Sequence, residues 1–287
     1  PCVFGKAFVS ADGIAHPVAN GELLIDFKFS AEENRSVAQI LGGKPENIKE
    51  ASRLCYELGC DGIDINMGCP DKSVEKQSAG SACIKNPKLA KEIIRAAKEG
   101  GSGLPISVKT RIGYNKNEIE TWIRALLEED LAVLTVHLRT RKEMSNVPAH
   151  WDLMNRVVEI RDKMKKDTLI FGNGDVLNLQ DARQKVSDSG CDGVMLGRAI
   201  FGYPWLFSEH IPTLNEKFSV MIEHTKLFEK ELCSYKNFAI MKKHYKAYVN
   251  GFDGAKELRM KLMEAETASE VEAITNDFLE KNEKLDA

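Results

Sequence analysis

The sequence predicts an α/β fold in which a (β/α)8-type barrel is followed by an all-α domain. Short apolar runs rich in β-branched residues alternate with amphipathic stretches of helical length from residue 1 to about residue 210. Almost every apolar run ends in a polar cluster. From about Thr213 the strand pattern stops, while Leu, Met, Phe and Tyr continue at helical spacing. Strands joined by crossover helices are parallel, so the first part of the chain belongs to the α/β class.

Seven apolar runs qualify as strands. A helix is predicted from Pro45, with Cys55 on its apolar face and Gly59 at its end. The next helix has Asn86 as its N-cap and Pro87 in its first turn. Further helical patterns cover residues 118–128, 151–164 and 179–189. The predicted strands are Cys2–Val9, Val37–Leu41, Gly62–Asn66, Leu104–Lys109, Ala132–His137, Thr168–Gly172 and Gly193–Leu196.

The polar clusters at the strand ends distinguish a barrel from an open, doubly wound sheet. A barrel gathers all of its strand ends around one mouth, whereas an open sheet brings together only those at its switch point. Six clusters follow the predicted strands, which favours the barrel. They are Gln39, Asn66–Pro70, Lys109–Arg111, His137–Arg139, Gly172–Asp175 and Gly197–Arg198.

The composition is that of an ordinary soluble globular protein, with 29% charged residues and a formal charge of −3. No run approaches the roughly 18 to 20 apolar residues of a membrane-spanning helix, and no secretory leader opens the chain. The seven cysteines do not form a secreted disulfide pattern, so we expect a cytoplasmic protein. Cys55 and Cys60 have the first spacing of an iron–sulfur site, but Ile63 occupies the next ligand position, so we predict no metal site.

Residues 213–287 are predicted to form the all-α domain, after a barrel domain of residues 1–212. The segment 226–261 holds nine basic and four acidic residues, a net charge of +5, whereas residues 262–287 have a net charge of −6. Aromatic residues lie among the basic ones, a mixture that suits nucleic acid. The alternative, which spacing alone favours, is a solvated helical face with a buried aromatic stripe. The aromatic residues are Phe228, Tyr235, Phe238, Tyr245, Tyr248 and Phe252.

Cys69 lies between Gly68 and Pro70 at a strand end, a position that aims a side chain into the barrel mouth. A structural thiol would instead lie within a strand or on a helix face. A thiol at the mouth can serve as a nucleophile or as a general acid, although a lone cysteine is more often inert. The polar groups around it therefore decide its role.

Two successive strands end in cationic side chains. Lys109 and Arg111 follow one strand, and we expect one of them to reach an anion in the mouth while the other points outward. His137 and Arg139 repeat the pattern on the next strand. Structural salt bridges are the alternative, but the repetition favours an anionic or electron-rich ligand.

A phosphate site is predicted at the last two strand ends. Asn173–Asp175 and Gly197–Arg198 follow the seventh and eighth strand positions of a barrel, where phosphate commonly binds to backbone amides. Glycine permits close approach, and Arg198 supplies a charge and a bidentate donor fork. This location predicts a phosphate ligand without specifying a reaction.

Five segments together resemble the signature of the tRNA-dihydrouridine synthases. Their order and spacing agree from about Phe8 to Phe207, and the combination is far more specific than any single piece. The helical tail is similar to the tRNA-binding domain of that family in position and character only. The segments are Asp64–Pro70 with Val74, Gly80, Ser81 and Ala82; Val108–Gly113; Val136–Arg141 with Pro148–Trp151, which looks more like the bacterial members; Gly172–Asp175; and Asp192–Arg198.

The resemblance implies an FMN-containing barrel that reduces the 5,6 double bond of particular uridines in tRNA. NADPH or NADH would reduce the flavin again after each turnover. Cys69 would be the general acid that protonates carbon 5 while reduced flavin delivers hydride to carbon 6. No stable protein partner is implied, so we expect a monomer. The residues that match flavin contacts are Gln39, Lys109 and His137, with Asn173, Gly174, Asp175, Gly197 and Arg198 on the phosphate side; those predicted to bind substrate are Asn66, Arg111, Arg139, Lys242, Lys243 and Lys246.

The chemistry that the residues offer agrees with this implication. Hydride addition to an α,β-unsaturated carbonyl requires an acid and a group that stabilises charge on the carbonyl oxygen, which a thiol and nearby cations provide. Three other functions remain open. One is an FMN barrel acting on a free pyrimidine or enone, similar to dihydroorotate dehydrogenase; another is a tRNA-binding relative without catalysis; the third is a Schiff-base aldolase using Lys109.

The predicted barrel is short of one strand. A domain of 212 residues is below the roughly 250 residues that eight βα units typically occupy. The family's opening strand, which has an Ala-Pro-Met-like flavin contact, has no counterpart in the sequence. We therefore expect a chain that lacks its first βα unit.

Overall fold

A computed structural model describes residues 4–10, 35–208 and 210–282. Seven strands form one parallel sheet whose spatial order follows the order of the chain. A doubly wound sheet would reverse its order at a switch point, so the sequential order is that of a barrel. The prediction of a barrel-type α/β fold is confirmed, and each predicted strand is present. The strands are β1 (Phe4–Ser10), β2 (Ser36–Leu41), β3 (Gly62–Met67), β4 (Ile106–Arg111), β5 (Val133–His137), β6 (Leu169–Asn173) and β7 (Gly193–Met195).

Helices follow the strands, as the periodicity predicts. The helix at Pro45 begins with proline in its first turn, and the Asn86 side chain caps the helix that starts at Pro87 by accepting from the Leu89 N–H (3.2 Å). The barrel helices are α1 (Pro45–Glu57), α2 (Lys72–Lys76), α3 (Pro87–Gly100), α4 (Ile119–Leu127), α5 (Met154–Lys163) and α6 (Leu179–Ser189). The later helices are α7 (Leu214–Leu232), α8 (Lys242–Tyr248), α9 (Ala255–Glu264) and α10 (Ala268–Lys281).

Alternate strand residues separate an apolar face from a polar face. Ile63 and Ile65 on β3, with Val108 on β4, are buried in a core formed with the helices. Cys55 belongs to this core, so its prediction as a small hydrophobe on a helix face is confirmed. The residues between them point to the opposite face, which carries Asp64 and other polar side chains. The polar face is the inside of the barrel.

The chain divides into two compact units. The first contains the residues up to Val176 together with Gln180–Leu196, and the second contains Leu177–Leu179 and the residues from Gly197. Residues 197–212 thus group with the helices, while the predicted domain boundary after residue 212 stays a prediction. The second unit has its own apolar core.

The aromatic residues of the basic segment are mostly part of that core. Phe228, Tyr245 and Tyr248 are buried, whereas Tyr235 is exposed. The buried aromatic stripe is therefore the correct interpretation for these three side chains. They stabilise the helical unit and cannot stack on a nucleic acid base.

The described part of the chain contains no membrane-spanning helix, disulfide or metal-binding cluster. None of its helices is both long and apolar enough to cross a bilayer. The six cysteines in this part, Cys55, Cys60, Cys69, Cys83, Cys191 and Cys233, have free thiols. No cluster of metal-binding side chains occurs in the same ranges. Cys2 lies outside them.

Candidate active site

A chain of side-chain amides connects β2 to the loop that contains Cys69. Gln39 Nε2 donates to Asp64 Oδ2 (2.6 Å), which leaves Gln39 Oε1 to accept from Asn66 Nδ2 (3.0 Å). Asn66 Oδ1 in turn accepts from the backbone N–H groups of Gly68 (3.1 Å) and Cys69 (2.9 Å). These bonds fix the orientation of both amides and hold the turn at Cys69. One N–H of each amide has no partner among the described residues.

Asp64 and Lys109 place opposite charges on the polar face. Burial raises the pKa of the Asp64 carboxyl, while hydrogen bonds from Ser107 Oγ (2.7 Å) and Gln39 and the charge of Lys109 oppose that shift. Burial lowers the pKa of Lys109 to about 8, although the Asp64 charge acts in the other direction. Within the described ranges, Lys109 Nζ has no hydrogen-bond or ion-pair partner. This ammonium is available to an electron-rich ligand.

Arg111 forms hydrogen bonds with two loops at the mouth of the barrel, the loop after β3 and the loop after β5. Its Nε donates to the Gly68 carbonyl (2.8 Å), and one terminal nitrogen donates to the carbonyls of Thr140 (3.1 Å) and Met144 (2.9 Å). Burial lowers the pKa of this guanidinium, and the Cys69 side chain lies within electrostatic range of it. Arg111 therefore supports the loop of Cys69 from the neighbouring strand.

The expectation that Lys109 and Arg111 point in opposite directions is wrong. Residues two positions apart on a strand share a face, because side chains alternate with a period of two. Both cations act on His137, and Cys69 lies within electrostatic range of both cations. The polar face thus brings Cys69, Lys109, Arg111 and His137 together.

His137 is a neutral imidazole with a defined tautomer. Burial, together with the charges of Arg111, Lys109 and Arg139, lowers its pKa to about 3. His137 Nε2 lies 3.1 Å from a terminal nitrogen of Arg139. Because a guanidinium only donates, Nε2 accepts and the ring proton is on Nδ1. The Nδ1–H donor has no partner among the residues that the structure describes.

Arg139 is buried, with 3% of its surface exposed, and its guanidinium contacts both His137 and the loop after β6. Its Nε donates to the Val147 carbonyl (2.6 Å), and its second terminal nitrogen forms an ion pair with Asp175. Asp175 also accepts from the Ala149 N–H (2.9 Å). The guanidinium thus holds the imidazole acceptor, the loop after β5 and the loop after β6 in one arrangement.

Glycines allow the loop after β6 to approach its neighbours closely. Trp151 Nε1 donates to the Gly174 carbonyl (2.8 Å), and a Cβ at Gly172 would lie 2.4 Å from Trp151 Cη2. Gly174 has a φ of +116°, and a Cβ there would lie 3.0 Å from the His137 ring. Asn173 Nδ2 donates to the Met195 carbonyl (2.8 Å), which connects β6 to β7. The predicted phosphate-side loop is therefore packed against the imidazole.

Comparison with known proteins identifies the family. A family model described as dihydrouridine synthase (Dus) matches residues 6–283. A probable tRNA-dihydrouridine synthase from Staphylococcus aureus (strain Mu50 / ATCC 700699) is 39% identical over 284 residues, which cover 97% of this chain and 85% of that protein. The chain belongs to the dihydrouridine synthase family. The probable tRNA-dihydrouridine synthase 2 of Bacillus subtilis (strain 168) is also 39% identical, over 97% of this chain and 86% of its own length.

Solved structures similar to this dihydrouridine synthase family member are more distant. A variant of NCR from Zymomonas mobilis gives a TM-score of 0.49 at 15% identity, over 74% of this chain and 77% of that chain. DHODH from Eimeria tenella, in complex with ferulenol, gives a TM-score of 0.46 at 14% identity, over 72% and 64% of the two chains. The family assignment rests on the sequence matches.

The remaining predicted site residues lie in the second unit of this family member. Gly197 and Arg198 are exposed, and Arg198 begins a short 3-10 helix that ends at Ile200. Lys242, Lys243 and Lys246 lie on α8, and none of the three has an ion-pair partner in the described parts of the chain. In the same basic segment, Lys226 pairs with Glu272, Lys230 with Glu231 and Lys261 with Asp277. The three lysines of α8 are therefore among the basic residues of the segment that acidic partners do not offset in the described parts of the chain.

The predicted substrate contacts of Asn66, Arg111 and Arg139 stay predictions, but the structure shows which protein groups these side chains hold. Sequence reasoning also missed residues that support the site. Asp64 could have been found, because it shares the strand parity of Asn66 and is the charged residue in an otherwise apolar strand. Glu75 gives no such signal, since its partner Arg141 is 66 residues away.

Proposed function

We propose that this protein reduces the 5,6 double bond of uridines in tRNA to dihydrouridine, with FMN as its cofactor and Cys69 as its acid. Membership of the dihydrouridine synthase family supports the reaction, and the names of the relatives support tRNA as its substrate. The observation that carries the proposal is the position of Cys69 on a loop that contacts the polar face beside Lys109, Arg111 and His137. A thiol in this position has both an opening to solvent and cationic neighbours.

The residues on the polar face fit a flavin. The pyrimidine edge of its ring system presents carbonyl oxygens and ring nitrogens. The face offers donors from Gln39, Lys109 and His137 Nδ1 that have no partner among the described residues. These three residues would hold the ring, while Asn173, Gly174 and Asp175, with Gly197 and Arg198, would hold the phosphate side. Bound FMN supplies the hydride that the reaction requires.

The protein groups would then perform the proton chemistry. Cys69 Sγ–H gives its proton to carbon 5 of the uracil ring, and the remaining thiolate is stabilised by the cations nearby. The amide chain through Asn66 fixes the backbone of Cys69, so the thiol is already positioned when the substrate binds. Lys109 and His137 Nδ1–H would hold electron-rich groups of the ligand.

The helical unit would dock the tRNA. Lys242, Lys243 and Lys246, which have no ion-pair partner among the described residues, would provide phosphate contacts in the tRNA-binding domain that we propose for residues 213–287. A uridine must leave its stack to reach an active site, which costs least in the loops of folded RNA. We propose NADPH or NADH as the reductant, and a monomer that acts in the cytoplasm, where tRNA and both nucleotides are present.

Replacing the acid tests this proposal. We expect Cys69→Ala to keep a flavin that NADPH reduces, but to form dihydrouridine in an unmodified tRNA transcript at least about 100-fold more slowly, because the general acid is lost. Cys233→Ala, which removes a thiol of the helical unit, is the matched control and should be fully active. Dihydrouridine is measured by mass spectrometry of the digested tRNA.

Three outcomes would contradict the proposal. Full activity of Cys69→Ala would overturn the assignment of the acid. Turnover of a free pyrimidine or enone without turnover of tRNA would support the alternative of a small-molecule reductase, and a colourless protein that binds tRNA would support a non-catalytic relative. Trapping of a carbonyl substrate on Lys109 by borohydride would support the aldolase.

A further inference from the structure

The backbone of Cys69 is held on its carbonyl side as well as on its amide side. The Ser81 N–H (2.9 Å) and the Ser81 hydroxyl (2.8 Å) both reach the Cys69 carbonyl oxygen. The next carbonyl, that of Pro70, accepts from a terminal nitrogen of Arg141 (3.3 Å). Gly80 permits this approach, with a φ of +59° and a Cβ position only 2.7 Å from the Cys69 carbonyl.

Ser81 and Arg141 both contact the carboxylate of Glu75, which lies on α2. Arg141 Nε donates to Glu75 Oε1 (2.8 Å), and its terminal nitrogen pairs with Oε2, so the contact is bidentate. Ser81 Oγ lies 2.9 Å from the same Oε1. The Ser81 hydroxyl has one proton. It donates this proton to Glu75, because the backbone N–H of Ser81 already donates to the Cys69 carbonyl. Glu75 is 11% exposed, and its hydrogen-bond partners among the described residues do not include Cys69.

The carboxylate is held in its charged form. Although burial raises the pKa of Glu75, hydrogen bonds from Arg141, Ser81 and Tyr114 outweigh burial and hold that pKa below its usual value. The Arg141 guanidinium also lies over the Tyr114 ring, 5.4 Å from its centroid. A charged, bidentate and partly buried pair restricts its side chains more than an exposed surface pair does.

We propose that Glu75 is a positioning residue that aims the Cys69 thiol by orienting Ser81, whose backbone N–H holds the Cys69 carbonyl, and Arg141, whose side chain holds the Pro70 carbonyl. The proposal rests on the proposed function, in which Cys69 is the acid. Loss of the negative charge weakens the contacts by which Glu75 orients Arg141, the donor to the Pro70 carbonyl, and Ser81, whose N–H donates to the Cys69 carbonyl. The loop then loses its support on one side while the amide chain through Asn66 remains.

Glu75→Gln tests this role, because glutamine keeps the shape of the side chain and removes its charge. We use protein whose flavin is reduced by dithionite, mix it anaerobically with an unmodified tRNA transcript, and follow reoxidation of the flavin in a single turnover. We expect the rate at saturating tRNA to fall by about tenfold or more, with the tRNA concentration at half-maximal rate unchanged. We also measure alkylation of Cys69 by iodoacetamide, relative to Cys233 in the same chain. A freed loop exposes the half-buried thiol, so Cys69 should react faster.

Glu129→Gln is the matched control. Glu129 is also a shielded carboxylate, 7% exposed, in a bidentate pair with Arg95 (2.7 and 2.8 Å). It precedes the amino end of β5, whereas Cys69 follows the carboxyl end of β3, so the two pairs lie at opposite ends of the parallel sheet. We expect this variant to match the wild type in both measurements, even where its thermal stability is lower.

The outcomes separate positioning from a general loss of structure. An unchanged single-turnover rate, unchanged alkylation of Cys69, or an equal fall in rate in Glu129→Gln would each overturn the role of Glu75. Failure of the wild-type protein to transfer electrons to tRNA would overturn the proposed function instead. The alkylation measurement needs neither flavin nor tRNA, and it would still report whether Glu75 holds Cys69.

Discussion

At the scale of single residues, the surroundings of His137 decide its charge. The ring is partly buried and three cations lie near it, so the neutral form is favoured and its pKa falls to about 3. Arg139 occupies Nε2, which leaves Nδ1–H as the donor. A residue that looks like a cation in the sequence is therefore a neutral donor in the site.

We expect His137 to make the folded state sensitive to acid. Its pKa is 6.5 in the free side chain and about 3 in the folded protein, so between these values the unfolded chain binds more protons. The stability is fully present above the higher value and is lost as the pH falls. Between about pH 7 and about pH 5 the loss is about 2 kcal/mol, and His137→Asn should not show it. Urea denaturation of both proteins at the two pH values measures the difference. His210→Asn, which removes an exposed histidine, is the control, and the same pH dependence in wild type and His137→Asn would contradict the shift.

Strand alternation makes the face of a side chain predictable from the sequence, although the expectation for Lys109 and Arg111 did not apply it correctly. Gln39, Lys109 and His137 lie on one polar face because strand alternation places them there. The pairs Glu75 with Arg141 and Arg139 with Asp175 were not predictable, since loops of irregular conformation bring them together. Sequence spacing contains no information about such contacts.

At the scale of elements, the contact between β6 and Trp151 fixes the loop beside His137. The indole ring fills the space beside Gly172, and its N–H holds the Gly174 carbonyl. The seven strands and five of the six barrel helices were predicted from their apolar patterns, whereas α2, a helix of five residues, was not. The use of glycine in β6 was not predictable, since a close approach depends on a side chain from another part of the chain.

We expect Gly172→Ala to destabilise the barrel by about 2 kcal/mol, because the new Cβ would lie 2.4 Å from Trp151 Cη2. The double variant with Trp151→Phe should recover part of this loss, since the atoms in collision are then absent. Gly197→Ala is the control, because a Cβ at Gly197 meets no atom within 4 Å. Urea denaturation measures the free energy of unfolding of each variant. Equal stability of Gly172→Ala and wild type would contradict the close packing of Gly172 against Trp151.

At the scale of the whole molecule, local charge is more informative than the net charge of −3. The segment 226–261 is basic, and ion pairs to acidic residues compensate Lys226, Lys230 and Lys261. The sequence predicted the excess of charge but could not show which lysines have acidic partners. The expectation of an absent first βα unit likewise stays a prediction.

We expect replacement of Lys242, Lys243 and Lys246 by Glu to weaken tRNA binding while flavin reduction is unchanged. Each phosphate contact contributes to counterion release, so the slope of the logarithm of affinity against the logarithm of salt concentration should fall by about 2 to 3. The control replaces Lys226, Lys230 and Lys261 by Glu, which changes the net charge equally but removes lysines already paired with acids. Equal effects of the two triple variants would mean that net charge, and not this surface, determines binding.

The most direct test of the central claim is a map of dihydrouridine in tRNA from cells with and without this protein. We predict that one or more defined uridines lose the modification when the gene is deleted, regain it with the wild-type protein, and fail to regain it with Cys69→Ala. Identical maps from all four strains would contradict the claim that this protein forms dihydrouridine in tRNA.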